Sequence, residues 1–158
     1  MQHAFLTLLW VVGSYAAQTW AEPANTIAQI MAGKSAPPGV VFEVATAQNA
    51  ALERLLPALQ RDIQTLRTRF PALPIVVVSH GDEQFSLTTA QAPQFGAMQA
   101  RIHALIANQQ VKVQVCGNYA RMNGVDKSQF PAAVEVVEQG PEAVREYIAR
   151  GFRHVRVR

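Results

Sequence analysis

The sequence predicts an α/β fold, a three-layer α/β/α sandwich built on a mainly parallel sheet of five strands. Three observations predict it. Short runs of β-branched and apolar residues alternate with amphipathic stretches over residues 39–158, as in chained β-α units with right-handed crossovers. One run, Ile75-Val76-Val77-Val78, contains no polar residue, as in a strand covered on both faces. Finally, Leu52, Leu55, Leu56, Leu59, Ile63 and Leu66 recur at spacings of three and four, which places them on one face of a helix.

The elements follow in order. Val40 to Val44 is the first strand, and the leucine stripe is the helix after it. Pro57 lies inside that helix and is expected to kink its first turns. Arg61, Asp62 and Arg67 fall off the stripe and face water, and Pro71 and Pro74 close the segment. The second strand, from Ile75, ends at Ser79-His80-Gly81-Asp82. A second helix carries Phe95, Met98, Ile102, Leu105 and Ile106 on one face. The third strand, Val111 to Val115, runs into Cys116-Gly117-Asn118. Its valines alternate with Lys112 and Gln114, which a strand covered on both faces by its own helices does not do. The polar side is expected to meet a neighbouring subunit or a wet cleft, so a homo-oligomer is expected. A short polar helix spans Tyr119 to Met122 and stops at Gly124. Val134 to Val137 is a fourth strand. Gly140-Pro141 opens a helix at the position proline favours, with Glu142 in its first turn, Arg150 in its last, and Gly151 as its cap. Phe152 to Val157 mixes charges with apolar residues and reads as an edge strand.

Upstream, Ala4 to Ala17 is almost unbroken apolar sequence, and no charged side chain precedes Glu22. The run falls short of the roughly 20 residues of a transmembrane helix. Thr19-Trp20-Ala21 places small residues at the −3 and −1 positions of a signal-peptidase site. The competing reading is a buried N-terminal helix, but the run is apolar all round and shows no stripe. Residues 1–21 are therefore expected to be a secretory signal, cleaved after Ala21, with a periplasmic product and no membrane attachment afterwards. No cysteine lies near its end and no Arg-Arg pair precedes it, so the general secretory route fits. Residues 22–38, ending in Ser-Ala-Pro-Pro-Gly, read as a flexible lead-in to the domain at 39–158.

Composition narrows the function. Charged residues are 16% and hydrophobic residues 49%, a globular balance. Fourteen Lys and Arg against eleven Asp and Glu leave +3, and the basic residues are scattered, so no nucleic-acid partner is expected. There is no C-x-x-C, P-loop or G-x-G-x-x-G. The four histidines lack zinc-site spacing, and no metal or cofactor is expected. Cys116, Met122 and His80 make a soft copper site only if they converge.

Ligands of open α/β sheets bind beyond the carboxyl ends of the strands. That rule selects His80, Gly81 and Asp82 after the second strand, and Cys116, Gly117 and Asn118 after the third. Cys116 has two readings: a buried thiol acting as a small hydrophobe, or a nucleophile. Its place before a helix favours thiolate, Arg121 adds positive charge nearby, and Gly117 leaves room for a substrate atom. His80 either assists the thiol or pins its loop. The second role is preferred, because no carboxylate stands out in the sequence to orient the ring. Asp82 reads as a turn residue, and His103 and His154 as surface residues.

At these residues the chain resembles the DsrE/DsrF-like family of sulfur-relay proteins, in its exported branch. The matching pieces are VVVSHGD, VKVQVCGNYARMNG and VEVVEQGPEAVREYIARGFRHVRV, which in order and spacing cover most of Val40 to Val157. The resemblance implies an α/β/α sandwich, assembly into homo- or hetero-oligomers, and a persulfide carried on the strand-end cysteine, a role that maps only onto Cys116. A sulfane-sulfur donor or acceptor is then the expected partner. The family's sulfur carriers are cytoplasmic, whereas this chain carries an export signal. From a different class of function, the alternative is a non-catalytic oligomeric module that binds a small ligand or a protein.

Overall fold

A computed structural model describes residues 25–158. The expected signal segment and the expected cleavage after Ala21 fall outside the described residues. Five parallel strands form one sheet: β1 (Val40–Val44), β2 (Ile75–Ser79), β3 (Lys112–Cys116), β4 (Glu135–Val137) and β5 (Arg153–Val157), in the order β4-β3-β2-β1-β5. The helices are α1 (Ile27–Met31), α2 (Ala51–Arg69), α3 (Ala92–Gln109), α4 (Gly117–Met122) and α5 (Gly140–Ala149). Among the described residues no helix is long and apolar enough to cross a membrane.

The chain steps from β1 to β4 in one direction and then returns to the far edge for β5. With right-handed crossovers, that reversal puts α5 on the opposite face from α2 and α3, and the two cores divide accordingly. Val40, Phe42, Ile75, Val77, Val113 and Val115 pack with the leucine stripe of α2 and with Phe95, Met98, Ile102 and Leu105 of α3. Val41, Val76 and Val78 pack with Val144, Tyr147 and Ile148 of α5 and with Phe152. This is the three-layer sandwich expected from the sequence. β2 is buried at every position, and β4 and β5 are the edges.

Some expectations change. Helix α2 runs from Ala51 to Arg69 through Pro57, whereas α3 has its irregularity at Phe95 (φ −114°, ψ 15°). Within the segment expected as a lead-in, residues 25–31 carry structure of their own. Thr26 and Gln29 form a reciprocal capping box at α1, Ile30 is buried in the larger core, and the Asn25 N–H donates to the His154 carbonyl at 2.6 Å. The polar side of β3 faces α5. Gln114 is buried there, its amide nitrogen donating to Glu135 Oε2 (2.9 Å) and Tyr147 Oη (3.2 Å). It lies in the wall of a polar groove of about 320 Å³ that also includes Lys112 and Glu135. The polar side of β3 therefore meets α5 and a polar groove within the chain.

Candidate functional site

The site forms where β2 and β3 end, on the face that α5 covers. Ser79 pairs with Val115, so the next residues, His80 and Cys116, stand side by side. The first residue of α5 lies over them. A Cβ on Gly140 would sit 2.5 Å from His80 Cβ and 3.2 Å from Cys116 Cβ. Only a glycine lets helix and strand ends approach this closely, and it brings Cys116 and His80 within side-chain reach of each other.

Cys116 is the N-cap of α4, and its Sγ accepts the Tyr119 N–H at 3.4 Å. Its own N–H donates to Oε1 of the buried Gln84 at 2.8 Å. The residue is only 4% exposed, so the thiol is more enclosed than its strand-end position suggests. Gly117 is also required for close packing: a Cβ there would meet Val136 Cγ1 at 3.0 Å and the Val137 carbonyl at 3.1 Å. It admits β4, rather than a substrate atom, to the start of α4. The Asn118 N–H donates to the Glu138 carbonyl at 2.9 Å, and its side chain is exposed.

Arg121 is exposed and engaged. Its guanidinium holds Glu138 (2.5 Å to Oε1) and the Asn118 side-chain oxygen (3.3 Å). The hydrogen bond to Glu138, then that residue's charge and, least, Cys116, hold the Arg121 proton more tightly than usual. The same bond keeps the Glu138 carboxyl below its ordinary range. The positive charge expected beside the thiol is thus present but shared with a carboxylate. Met122 of α4 is 75% exposed, and its sulfur accepts from the Asn118 amide at 3.9 Å. Among the described residues no three His, Cys, Asp or Glu side chains gather as a metal site.

His80 has the orienting carboxylate that the sequence did not reveal. Its Nε2 lies 2.9 Å from Glu43 Oε1. Glu43 Oε2 also meets His154 Nε2 at 2.7 Å and Arg156 Nε at 3.1 Å. These bonds, His154 first, then His80, then Arg156, hold the Glu43 carboxyl far below its ordinary range against the opposing effect of burial. The carboxylate therefore stays charged where ordinary ones protonate. His154, read from the sequence as a surface residue, is 7% exposed and part of this cluster. His103 is exposed, as expected.

The loop after β2 holds the site's remaining polar groups. It winds into two short 3-10 turns, Asp82–Leu87 and Thr89–Gln91. Asp82 does more than turn the chain, since its carboxylate accepts the Tyr119 hydroxyl at 2.6 Å. That bond raises the phenol's pKa and ties the loop to α4, where Tyr119 also stacks on Phe85. Glu83 is fully buried. It accepts from Ser79 Oγ (2.7 Å) and the Gly81 N–H (3.0 Å) on one oxygen, and from the Thr46 N–H (2.7 Å) and Thr46 Oγ1 (3.0 Å) on the other. Gly81 is needed because a Cβ there would lie 2.3 Å from the Thr46 carbonyl oxygen.

The structure brings His80, Cys116 and Gly117 together, with Asn118 and Arg121 at the rim and Gly81 in the supporting loop. Sequence reasoning missed Glu43, Glu83, Gln84 and Gly140. One signal was available, a single carboxylate inside the apolar run Val-Val-Phe-Glu-Val.

The fold and this strand-end site define an all-parallel α/β sandwich with a cysteine and a histidine at the mouth of its sheet. No family model and no curated protein matches the chain. Its fold is similar to the solved structure of a protein of unknown function, MTH1491, from Methanobacterium thermoautotrophicum. The TM-score is 0.61 at 20% identity, over 74% of this chain and 96% of that one. At that identity the likeness speaks for the fold alone.

Proposed function

We propose that this chain is an exported, oligomeric sulfur-handling protein of the DsrE/DsrF-like kind, in which Cys116 takes up sulfane sulfur and passes it on. The observation that carries the reading is the placement of Cys116. It caps α4, its sulfur accepts a backbone N–H, and an imidazole anchored on a carboxylate stands beside it. A thiolate is favoured where N–H donors and a base converge. The chemistry is sulfur exchange. The Cys116 proton passes to His80, and the thiolate attacks the outer sulfur of a donor such as thiosulfate. A new S–S bond forms on Cys116, and the donor's S–S bond breaks with its electron pair leaving on sulfite. An acceptor thiolate then attacks the outer sulfur of the persulfide and releases Cys116 as thiolate. The two transfers together consume no oxidant.

A second reading, the non-catalytic binding module, is favoured by one observation, the enclosure of Cys116. Alkylation separates the two. In the native protein near neutral pH, a small haloacetamide is expected to label Cys116 within minutes. A thiol that reacts only after denaturation supports the binding module. Export and assembly belong to the same proposal. The mature protein is expected to begin at Glu22 and to scatter light as more than one chain, and a monomer starting at Met1 contradicts both.

A further inference from the structure

We infer that Glu43 is a positioning residue for Cys116, holding His80 with Nδ1 as its basic nitrogen so that the imidazole is placed to take the thiol proton across the ends of β2 and β3. The inference rests on the reading of Cys116 as a reactive thiol.

An ionised carboxylate only accepts hydrogen bonds. His80 Nε2, 2.9 Å from Glu43 Oε1, must therefore carry the hydrogen. That leaves Nδ1 with a lone pair and, among the described residues, no hydrogen-bond partner. The tautomer of a histidine is set by the bond its other nitrogen makes, and here that bond specifies a base. The ring is also held in place, because Gly140 packs against its Cβ and Cγ.

The other oxygen shows why a purely mechanical clasp is an incomplete account. Glu43 Oε2 is already tied to β5 through His154 Nε2 and Arg156 Nε. The Arg156 guanidinium balances the carboxylate, so His80 need not be charged to be held. A neutral imidazole at rest can take a proton on Nδ1 and keep its Nε2–H bond to Glu43, and the imidazolium so formed is stabilised by the carboxylate. The step is balanced, with the sulfur–hydrogen bond broken, the nitrogen–hydrogen bond formed, and thiolate and imidazolium left side by side. The charged and titratable groups around the site, among the described residues, are these. His154 and Arg156 face Glu43 from β5, the Arg121–Glu138 pair lies near Cys116 on α4 and beyond β4, Asp82 holds Tyr119, and buried Glu83 lies under Gly81. Each of these is already paired, so none competes with Cys116 for Nδ1.

Two measurements test this. Long-range nitrogen–proton NMR of the labelled protein, with the His80 signals identified by their loss in His80→Asn, is expected to show the Nε2–H tautomer near pH 7. An Nδ1–H tautomer overturns the inference without any variant having to fold. Alkylation of Cys116 by iodoacetamide near pH 7 is then expected to slow about tenfold in Glu43→Gln and at least as much in His80→Asn, a size typical of general base catalysis. The double variant should be no slower than His80→Asn alone, because both act through one ring. Near pH 10, where a free thiol with pKa about 8.5 ionises unaided, all four proteins should react alike. Glu43→Gln reacting like wild type near pH 7, or a deficit that persists near pH 10, overturns the inference. Variant-sensitive alkylation without any sulfur adduct would reject the sulfur reading and keep the positioning role. Sulfur loading with variant-insensitive alkylation would do the reverse, and a thiol inert in the native protein removes both.

Discussion

Replacing Glu83 by glutamine is expected to lower the domain's stability by about 3 kcal/mol, read as a fall in Tm on the order of 10 °C, although the change removes no atom from the core. The reason lies in the four donors around the carboxylate. Each oxygen receives one hydroxyl and one backbone N–H: Ser79 Oγ with Gly81 N on one side, and Thr46 Oγ1 with Thr46 N on the other. A hydroxyl can rotate to accept from an amide, but a backbone N–H cannot. Whichever way the glutamine amide is placed, its NH₂ group meets a backbone N–H, and a buried donor is left unmade at about 1–3 kcal/mol, besides the charge-assisted bonds lost. The loops after β1 and β2 are stitched together here, so His80 should also lose its fixed position. Urea or thermal unfolding checks the expectation, and a difference below about 0.5 kcal/mol, the usual scale of a neutral surface change, contradicts it.

The second large effect is expected at Gly140. Alanine normally stabilises a helix relative to glycine by about 0.8–1.0 kcal/mol. At Gly140 the sign should reverse. The new methyl would lie 2.5 Å from His80 Cβ and 3.2 Å from Cys116 Cβ, and overpacking of this kind costs about 1–3 kcal/mol. The start of α5 must lift, because the far side of the contact is the end of a central strand. Gly140→Ala is therefore expected to lose up to about 2 kcal/mol net and, at the same time, to expose the thiol and speed its alkylation. Equilibrium unfolding together with the native alkylation rate reads both effects. A variant as stable as wild type with an unchanged rate would mean that α5 does not press on the site.

How much of this was readable in the sequence depends on how far apart the interacting residues lie. The β-α order, the leucine stripe of α2, the apolar β2 and the proline-opened α5 are local patterns, and periodicity exposes local patterns. The strand-end rule then located Cys116 and His80 without any knowledge of contacts. What the sequence hid was partnership over distance. Glu43 meets residues 37 and 111 positions away, and nothing in the spacing of one chain signals such a pair. His154 lies on an edge strand with charged neighbours, so its pattern reads as solvated. It is nevertheless buried, with its ring on Glu43 and its backbone carbonyl bonded by the Asn25 N–H. Asp82 to Leu87 holds Glu83 and Gln84, residues that usually mark an exposed loop, yet both are fully buried. Backbone N–H groups at the ends of β1 and β3 need acceptors, and these two side chains supply them.

Sulfur carriage by Cys116 is tested most directly by the intact mass of the folded protein after exposure to thiosulfate or polysulfide. Wild-type protein is expected to gain the mass of one or more sulfur atoms per chain, all of it removed by a mild thiol, while Cys116→Ser, a near-isosteric change, keeps the fold and gains nothing. Wild-type protein that gains no mass from either donor, while its native thiol stays unreactive, would contradict the claim and leave a binding module in its place.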